Sequence, residues 1–514
     1  MSSVVNPSEK SPSQLKHHPL GARVPDSTHA VVVSLPTMDD LIGYEEVRPE
    51  THAQVKTGYP RFKRHPYVER VAIDLAKSLG LAGRALFPVC SRRAADDTVA
   101  FSGARDARVD PAPGAAWFLV SLGATEPAEV VARAGKYLQH TGVQISSRQA
   151  EDILLAAGEL DAAQPEESYA GDAEARVREA MAPYFAPAAG ADIALCRAGM
   201  NAMHAAFVAT RDMQRAQGRK IWVQIGWLYA DTPAILQKFL APDERHVLFA
   251  DVFDKAAIGK FFAENGDRIA AVISELPTNP LIHTVDAEWL SALCLKHGVM
   301  RLLDPSSTGA INVDVLPYSD LVIASLTKYA GNVGDVMIGA VAVNPASPFA
   351  DALRSRLHRH AEAPYARDLA RLAAQIGDME KVSDAINANC EKLVAWLSVH
   401  PAVRRVHWAY SEKTAAHYAK IARGPRRPGS LFSIELNGPV ARFYDRLRCP
   451  KGPSFGVTFT IAVPFMYLSR YELVNNVEGR KELLDGGLDP ELIRIAVGAE
   501  PFEELKAVFE EALA

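Results

Sequence analysis

The sequence predicts an α/β protein built on a mostly parallel central sheet. Short apolar runs rich in β-branched residues alternate, from residue 193 onward, with segments long enough to form helices. Such alternation is typical of βαβ units, which bury a parallel sheet between two layers of helices. A chain of 514 residues is also too long for one compact core, so we expect two or three domains. The predicted strands are 193–196, 221–225, 269–274, 300–303, 321–324 and 336–343.

The composition favours a small molecule as the binding partner. Charged residues make up 23% of the chain, the formal net charge is −5, and the pI is near 6.3, so no broad cationic field for nucleic acid or anionic lipid is expected. No apolar run is long enough to span a bilayer, and the polar residues 1–20 do not resemble a signal peptide. The five cysteines lack metal-binding spacing, which predicts no metal site and a reducing, cytoplasmic location.

The N-terminal part is predicted to be a tail and an arm, followed by an accessory region. Residues 29–36 form a short apolar strand or an extended arm, and 38–59 are polar with scattered turn formers. Apolar residues recur at helical spacing over 66–79, and Gly80 follows where a glycine commonly ends a helix. These features predict one amphipathic helix. Residues 82–167 mix strand-like and helical runs without a recognisable pattern, and no role is assigned to them.

The C-terminal part is predicted to be a smaller α+β unit. A long helical stretch over 364–400 precedes strands near 403–408 and 431–435, and a last helix begins at Pro501. The predicted organisation is an N-terminal tail and arm (1–66), an accessory region (67–190), a large domain (191–362), and a linker helix with a C-terminal domain (363–514).

The most informative local segment is DLVIASLTKYAG, residues 320–331, in which an apolar strand ends in small hydroxylated residues and Lys328. A buried lysine at a strand end is costly unless it is neutralised, and a Schiff base with an aldehyde cofactor neutralises it. Ser325 and Thr327 are then candidate donors to a cofactor phosphate. The alternative is an exposed lysine in a strand-to-loop turn, which is the commoner situation for an isolated Thr-Lys pair.

Two further candidate features lie at predicted strand ends. The run CRAGMNA, residues 196–202, joins a strand to a helix, and the free N–H groups of a helix start can hold a phosphate. A glycine there is also ordinary turn chemistry. Asp304 ends an apolar strand at the edge where parallel sheets bind ligands. Beside a pyridine nitrogen it would keep that nitrogen protonated, and alternatively it caps the next turn.

Together these residues resemble the cysteine/methionine-metabolism family of pyridoxal-phosphate (PLP) enzymes, which have fold type I. The family's lysine motif, Asp-Leu-Val followed by Ser-x-Thr-Lys-Tyr, is intact over 320–329. The family's Ser-Gly-Met phosphate turn is Ala-Gly-Met at 198–200, which keeps the backbone donors and loses one hydroxyl. The cofactor-binding residues that the resemblance implies are Lys328, Asp304, Ala198, Gly199, Met200, Ser325 and Thr327.

The resemblance extends to three further motifs. The family's Tyr-x-Arg arm, which reaches the cofactor phosphate of the neighbouring subunit, corresponds to Tyr59 and Arg61. The family's Ser-Asn-Pro becomes Thr-Asn-Pro around Asn279, which would contact the cofactor or the substrate. A C-terminal Leu-Ile-Arg-Ile-Ala-Val-Gly run makes Arg494 the clamp for the substrate α-carboxylate, a task that suits a planar bidentate donor. The resemblance therefore implies a homodimer or homotetramer with shared cofactor sites.

Within the family, the chain most resembles the fungal-type cystathionine γ-synthases. Bacterial-type members stack a tyrosine on the cofactor ring where this chain has Ile225, so either Trp227 supplies the ring or Ile225 packs there. Phe459 and Thr460 replace a carboxylate and a serine near the substrate, and Tyr229 is a candidate proton carrier. The stretches that carry the fungal-type resemblance are 34–37, 43–46, 57–62, 315–318 and 451–456.

The resemblance implies γ-replacement on an O-acylated homoserine, with cysteine as the nucleophile and cystathionine as the product, as in transsulfuration and methionine biosynthesis. Lys328 would move protons from Cα and Cβ of the substrate. The same residues serve O-acylhomoserine sulfhydrylases and cystathionine or methionine γ-lyases, which remain alternatives. A non-catalytic regulatory descendant is disfavoured because Lys328, Asp304 and Arg494 are all present.

Overall fold

The computed structural model describes residues 14–59 and 63–514, and its N-terminal segment packs on the C-terminal part of the same chain. The Tyr444 hydroxyl donates to the carbonyl of Leu35 at 2.7 Å, and Lys451 Nζ donates to the carbonyl of Pro36 at 2.7 Å. The sequence predicts that an arm in this segment also reaches a neighbouring subunit, which a single chain does not test. The elements of this segment are the antiparallel strands β1 (Arg23–Val24) and β2 (Val32–Val33) and the helices α1 (Met38–Glu45) and α2 (Pro49–Gln54).

The accessory region contains a three-stranded antiparallel sheet, in which β5 lies between β3 and β4. Helix α3 confirms the predicted amphipathic helix, since Val68, Val71 and Ala72 on one face are buried. A 3₁₀ turn at Pro113–Ala115 and another at Gly190–Asp192 complete the region. Its elements are α3 (Pro66–Ser78), β3 (Ala85–Val89), α4 (Arg92–Ser102), β4 (Ala107–Pro111), β5 (Phe118–Leu122), α5 (Ala128–Thr141), α6 (Ser147–Ala156) and α7 (Ala173–Phe185).

A seven-stranded sheet forms the centre of the molecule and confirms the predicted fold class. The strand order is β6-β12-β11-β10-β9-β7-β8, and β12 alone runs antiparallel to its neighbours. The strands are β6 (Ile193–Cys196), β7 (Ile221–Ile225), β8 (Arg245–Phe249), β9 (Ile269–Glu275), β10 (Met300–Asp304), β11 (Leu321–Ser325) and β12 (Gly339–Val343). The helices are α8 (Gly199–Ala216), α9 (Asp231–Lys238), α10 (Lys255–Asn265), α11 (Ala287–His297) and α12 (Ala350–His360), with a 3₁₀ turn at Leu316–Tyr318.

The sequence missed one strand of this sheet, β8. It lies at the sheet edge and is partly exposed, with Leu248 41% exposed, so its residues lack the continuous apolar run of the inner strands. The prediction for the last strand was too long, because β12 begins at Gly339 and not at residue 336.

The C-terminal part holds a four-stranded antiparallel sheet in the order β13-β14-β16-β15. The sequence predicted β13 and β14 and missed β15 and β16. The predicted long helix is two helices, α13 and α14, separated by a 3₁₀ turn at Ile376–Asp378 that contains the weak helix former Gly377. Among the described residues, no helix combines the length and apolarity needed to cross a membrane. The elements are α13 (Ala366–Gln375), α14 (Met379–Leu397), β13 (Val403–His407), α15 (Ala415–Ile421), β14 (Leu431–Leu436), α16 (Val440–Arg446), β15 (Ile461–Pro464), α17 (Phe465–Ser469), α18 (Tyr471–Val474), α19 (Val477–Asp485), β16 (Ile493–Ala496) and α20 (Phe502–Leu513).

Three neighbouring strands bring polar side chains to one edge of the central sheet. Parallel strands β9, β10 and β11 end at Glu275, Asp304 and Ser325, and the register pairs Asp304 with Glu275. Because folds of this type bind ligands at the carboxyl ends of their parallel strands, we expect a ligand site at this edge.

Candidate active site

A cavity of about 320 Å³ opens at the carboxyl edge of the central sheet. Its wall comes from strand ends of that sheet, from the N-terminal segment, from the accessory region and from the C-terminal part. It therefore joins residues that lie several hundred positions apart in the chain. The predicted site residues that line it are Tyr59, Ala198, Gly199, Met200, Tyr229, Asn279, Asp304, Ser325, Thr327, Lys328 and Arg494.

Lys328, just after β11, presents its amine to hydroxyl groups in this cavity. Its Nζ donates to the hydroxyl of Tyr59 and, at 3.0 Å, to Oγ of Ser454, and it lies 4.9 Å from the ring centre of Phe455. Burial, aided by the positive charge of Arg494, lowers the pKa of Lys328 to about 7. A large share of the amine is therefore unprotonated and nucleophilic near neutral pH. Sequence reasoning assigned no role to Ser454.

Two carboxyl groups, Asp304 and Glu275, lie side by side at the ends of β10 and β9. The backbone N–H of Ser306 donates to Oδ1 of Asp304 at 2.7 Å, and that of Tyr229 donates to Oε1 of Glu275 at 2.5 Å. Burial raises the pKa of Asp304 to about 6. Burial and the negative charge of Asp304 raise the pKa of Glu275 well above its ordinary value. Sequence reasoning missed Glu275, although it too ends an apolar strand.

Arg494, on β16, reaches the cavity from the C-terminal sheet. It donates to Oδ1 of Asn279 at 3.3 Å and to the carbonyl of Ser454 at 3.1 Å, while its buried Nε has no partner among the described residues. Burial lowers the pKa of Arg494 to about 10, so the group is still charged at neutral pH. A buried guanidinium surrounded by neutral acceptors fits recognition of a carboxylate.

The start of helix α8 approaches the end of β11 closely at Gly199. A Cβ at Gly199 would lie 2.9 Å from Cβ of Ser325, a distance that real side chains do not tolerate. The free N–H groups of this helix start therefore face the cavity without a side chain between them and Ser325. The Thr327 hydroxyl accepts the backbone N–H of Ile338 at 3.2 Å, so it is partly engaged within the fold.

Two of the predicted site residues that the structure describes, Trp227 and Thr460, do not line the cavity. Trp227 Nε1 donates to the carbonyl of Gly486 at 3.1 Å, so the indole is held against the C-terminal part, and the predicted stacking of its ring on the cofactor stays a prediction. The Thr460 hydroxyl donates to Glu500 at 2.9 Å and accepts the N–H of Gly498 at 2.9 Å. In both side chains the polar atom is hydrogen-bonded to the C-terminal part.

Tyr59 lies in the cavity of its own chain. Its hydroxyl contacts Ser454 at 2.8 Å as well as Lys328, which differs from the expected contact with the cofactor phosphate of a neighbouring subunit. Arg61 lies outside the described residues. The cross-subunit arm and the homodimer or homotetramer stay predictions.

The accessory region, to which the sequence assigned no role, forms one wall of the cavity. Arg148, at the start of α6, is 1% exposed and pairs with Glu166 at 2.7 Å and with Asp368 at 3.2 Å. These pairs tie the accessory region to α13. The residues of this region that line the wall include Gln139, Gly142, Gln144, Ser146, Ser147 and Arg148.

Comparisons with known proteins agree with this geometry. A solved cystathionine gamma synthase from Xanthomonas oryzae pv. oryzae, in complex with cystathionine, has a similar fold, with a TM-score of 0.55 and 21% identity over 67% of this chain and 86% of that chain. An L-2-amino-4-chloropent-4-enoate dechlorinase/desaturase from Streptantibioticus cattleyicolor is 40% identical over 95% of this chain and 97% of its own. A cystathionine gamma-synthase from Neurospora crassa is 27% identical over 96% of this chain and 98% of its own.

The family comparison covers the central and C-terminal parts together. Residues 184–514 match the model of the Cys/Met metabolism PLP-dependent enzymes, and this range contains Lys328, Asp304 and Arg494. The chain therefore belongs to the family of Cys/Met metabolism PLP-dependent enzymes and has fold type I.

Proposed function

We propose that this enzyme removes a substituent from the γ-carbon of an L-2-amino acid and leaves a new carbon–carbon π bond. The observation that carries the proposal is the amine of Lys328, with its pKa lowered to about 7, in one cavity with Arg494 and Asp304. Elimination, rather than another outcome, is supported by the relative named a dechlorinase/desaturase, which is 40% identical over nearly the whole chain.

The residues of the cavity fit PLP. Lys328 offers an amine for the cofactor aldehyde, and the ionised Asp304 suits a protonated pyridine nitrogen. At Gly199 the close approach of α8 to Ser325 leaves backbone donors for a phosphate. When bound, PLP supplies an acceptor for the electron density that is released as bonds to the substrate carbons break.

The residues of the chain then have separate tasks. Arg494 binds the α-carboxylate and so turns the Cα–H bond towards Lys328. Lys328 takes a proton from Cα and a proton is also lost from Cβ, while the γ-substituent leaves with its bonding electron pair. One proton returns to the carbon skeleton, so the net loss is one proton and the leaving anion. Tyr229, at the cavity wall, is a candidate carrier for these protons.

A second candidate is γ-replacement on an O-acylated homoserine, with cysteine as the nucleophile and cystathionine as the product. The fungal cystathionine gamma-synthase favours it, since its similarity extends over 96% of this chain, including the N-terminal part. The departure of the γ-substituent is common to both reactions, and they differ in whether a thiol then adds. If sulfide takes the place of cysteine, the enzyme would be a sulfhydrylase. If no thiol adds, the reaction is an elimination, as in the first candidate, and the enzyme would be a γ-lyase.

A substrate panel separates these reactions. The purified protein with PLP is mixed with L-2-amino-4-chloropent-4-enoate or with O-acetyl-, O-succinyl- or O-phosphohomoserine, each with and without cysteine or sulfide. Elimination predicts release of the leaving anion without a thiol and an unsaturated product by mass spectrometry. Replacement predicts release that requires the thiol. Lys328→Ala is the control for background release, and failure to release any leaving group above that control contradicts the proposal.

A further inference from the structure

Within the described chain, the arginines that line the cavity fall into two classes. They are Arg64, Arg148, Arg197 and Arg494. The first two are ion-paired, with a carboxylate oxygen 2.7 Å from a guanidinium nitrogen in each case. The other two pair with no carboxylate in residues 14–59 and 63–514. Since an unneutralised guanidinium in a cavity wall attracts anions, the cavity has two places where an anionic group would be stabilised.

Arg197 is held in place by a neutral group. Its Nη1 donates to Oε1 of Gln149, on helix α6 of the accessory region, at 3.0 Å, and its buried Nε has no partner among the described residues. Gln149 in turn donates to the carbonyl of Ala116 at 3.2 Å, which fixes the orientation of its amide. The charge of Arg197 is thus positioned without being neutralised. A buried donor without a partner is costly, and an anionic ligand would remove that cost.

The position of Arg197 indicates which anion it meets. It directly precedes the turn at 198–200 that begins α8, where the backbone comes close to Ser325. This turn has Ala198 in place of the hydroxylated residue that a phosphate turn of this type uses. Arg494, the other unpaired arginine, is on β16 and contacts Asn279. The two charges therefore belong to different parts of the wall and suit two different anions.

We infer that Arg197 binds the phosphate of PLP together with the N–H groups at the start of α8, and that Gln149 is the residue that positions its guanidinium. Arg197 thereby replaces the donor that Ala198 lacks. The accessory region then has a role in cofactor binding, because Gln149 on its helix α6 orients Arg197. This inference rests on PLP as the cofactor and is independent of which γ-reaction the enzyme catalyses.

The test compares the affinity of the apoenzyme for PLP with its affinity for pyridoxal, which lacks the phosphate. Both dissociation constants are measured by absorbance and fluorescence titration. Arg197→Gln should raise the Kd for PLP by about 10-fold to 100-fold and change the Kd for pyridoxal by less than about twofold, because only the phosphate contact is lost. Arg197→Lys should recover part of the affinity, since it keeps the charge and loses the planar fork.

Two more variants complete the design. Gln149→Glu places a carboxylate beside Arg197 and should weaken PLP, but not pyridoxal, by neutralising the guanidinium. Arg211→Gln, on the same helix α8 but paired with Glu244 and outside the cavity, is the matched control and should leave both constants unchanged.

Three results would overturn the inference: an unchanged Kd for PLP in Arg197→Gln, an equal loss of affinity for PLP and pyridoxal, or an unchanged Kd for PLP in Gln149→Glu. The second would show that Arg197 supports the fold of the turn and does not contact the phosphate. If the wild-type apoenzyme binds neither compound, the cofactor assignment itself fails, which is a distinguishable outcome.

Discussion

Arg148 and Arg494 are two buried arginines of one cavity with opposite electrostatic surroundings. Arg148, 1% exposed, contacts the carboxylates of Glu166 and Asp368, whereas Arg494, 4% exposed, donates hydrogen bonds to neutral oxygens and pairs with no carboxylate in the described residues. A buried arginine that is paired with carboxylates stabilises the fold, because its removal would leave buried carboxylates without a compensating charge. An unneutralised one is suited to an anionic ligand. From this difference we expect Arg148 to act in stability and Arg494 in substrate binding.

Two lysines show the same division. Lys451, 1% exposed, donates to the carbonyls of Pro36 and Asp445, and burial lowers its pKa to about 8. Lys328 faces the cavity and donates to side-chain hydroxyls that a ligand can displace. We therefore expect Lys451 to be structural and Lys328 to be catalytic, even though the pKa of each is lowered.

The largest expected effect is that of Lys328→Ala. It should reduce turnover by at least about 10³-fold, because one amine both holds the cofactor and moves the protons. The visible absorbance of bound PLP should also disappear while the circular dichroism spectrum of the protein is kept. Lys451→Met is the matched control and should keep the absorbance in the folded protein. Turnover at the wild-type rate in Lys328→Ala would remove this lysine from the mechanism.

Arg148→Met should lower the free energy of unfolding by about 3–5 kcal/mol, because it leaves Asp368 buried without its cation and leaves Glu166 paired with Arg367 alone. Urea denaturation measures this loss. The KM of the fraction that remains folded should be close to that of the wild type. A large rise in KM without loss of stability would contradict the division between the two arginines.

Arg494→Gln should weaken substrate binding without lowering the stability of the fold. The KM for the amino-acid substrate should rise by about 100-fold, the size expected for loss of a charge-assisted contact, while the melting temperature stays the same or rises. An amine analogue that lacks the α-carboxylate serves as the control ligand, and it should bind the variant and the wild type equally. Equal weakening of both ligands would show that Arg494 shapes the cavity and does not bind the carboxylate.

Capture of PLP by the apoenzyme should depend on pH near neutrality. Below pH 7 the Lys328 amine is protonated and cannot attack an aldehyde, and above pH 7 it is neutral, given its pKa of about 7. The stopped-flow rate should rise by about tenfold between pH 6 and 8 and then level off. A rate that still rises by a factor of ten per pH unit at pH 9 would indicate a lysine with an ordinary pKa.

The smallest effect is expected for Trp227→Phe. The variant loses the hydrogen bond to Gly486, which is worth about 1 kcal/mol of stability, and should leave the KM and the PLP absorbance within about twofold of wild type. A marked change in the PLP spectrum would return Trp227 to the cofactor site.

The sequence predicts well what depends on neighbouring residues. Lys328 and Asp304 were predicted to belong to the site because each follows or ends an apolar run, and both line the cavity. The role of Arg197 could not be predicted in this way, since it depends on Gln149, 48 positions away in the chain. The hydrogen bond of Trp227 could not be predicted for a related reason, since its partner Gly486 is 259 positions away.

The most direct test of the central claim is to find the lysine that holds PLP. The holoenzyme is reduced with borohydride, digested, and the peptide that carries the pyridoxyl group is identified by mass spectrometry. The label is expected on Lys328, the amine of the cavity whose pKa is lowered to about 7. A label on Lys451, another buried lysine with a lowered pKa, or no label on Lys328 in a protein that contains bound PLP, would contradict this expectation.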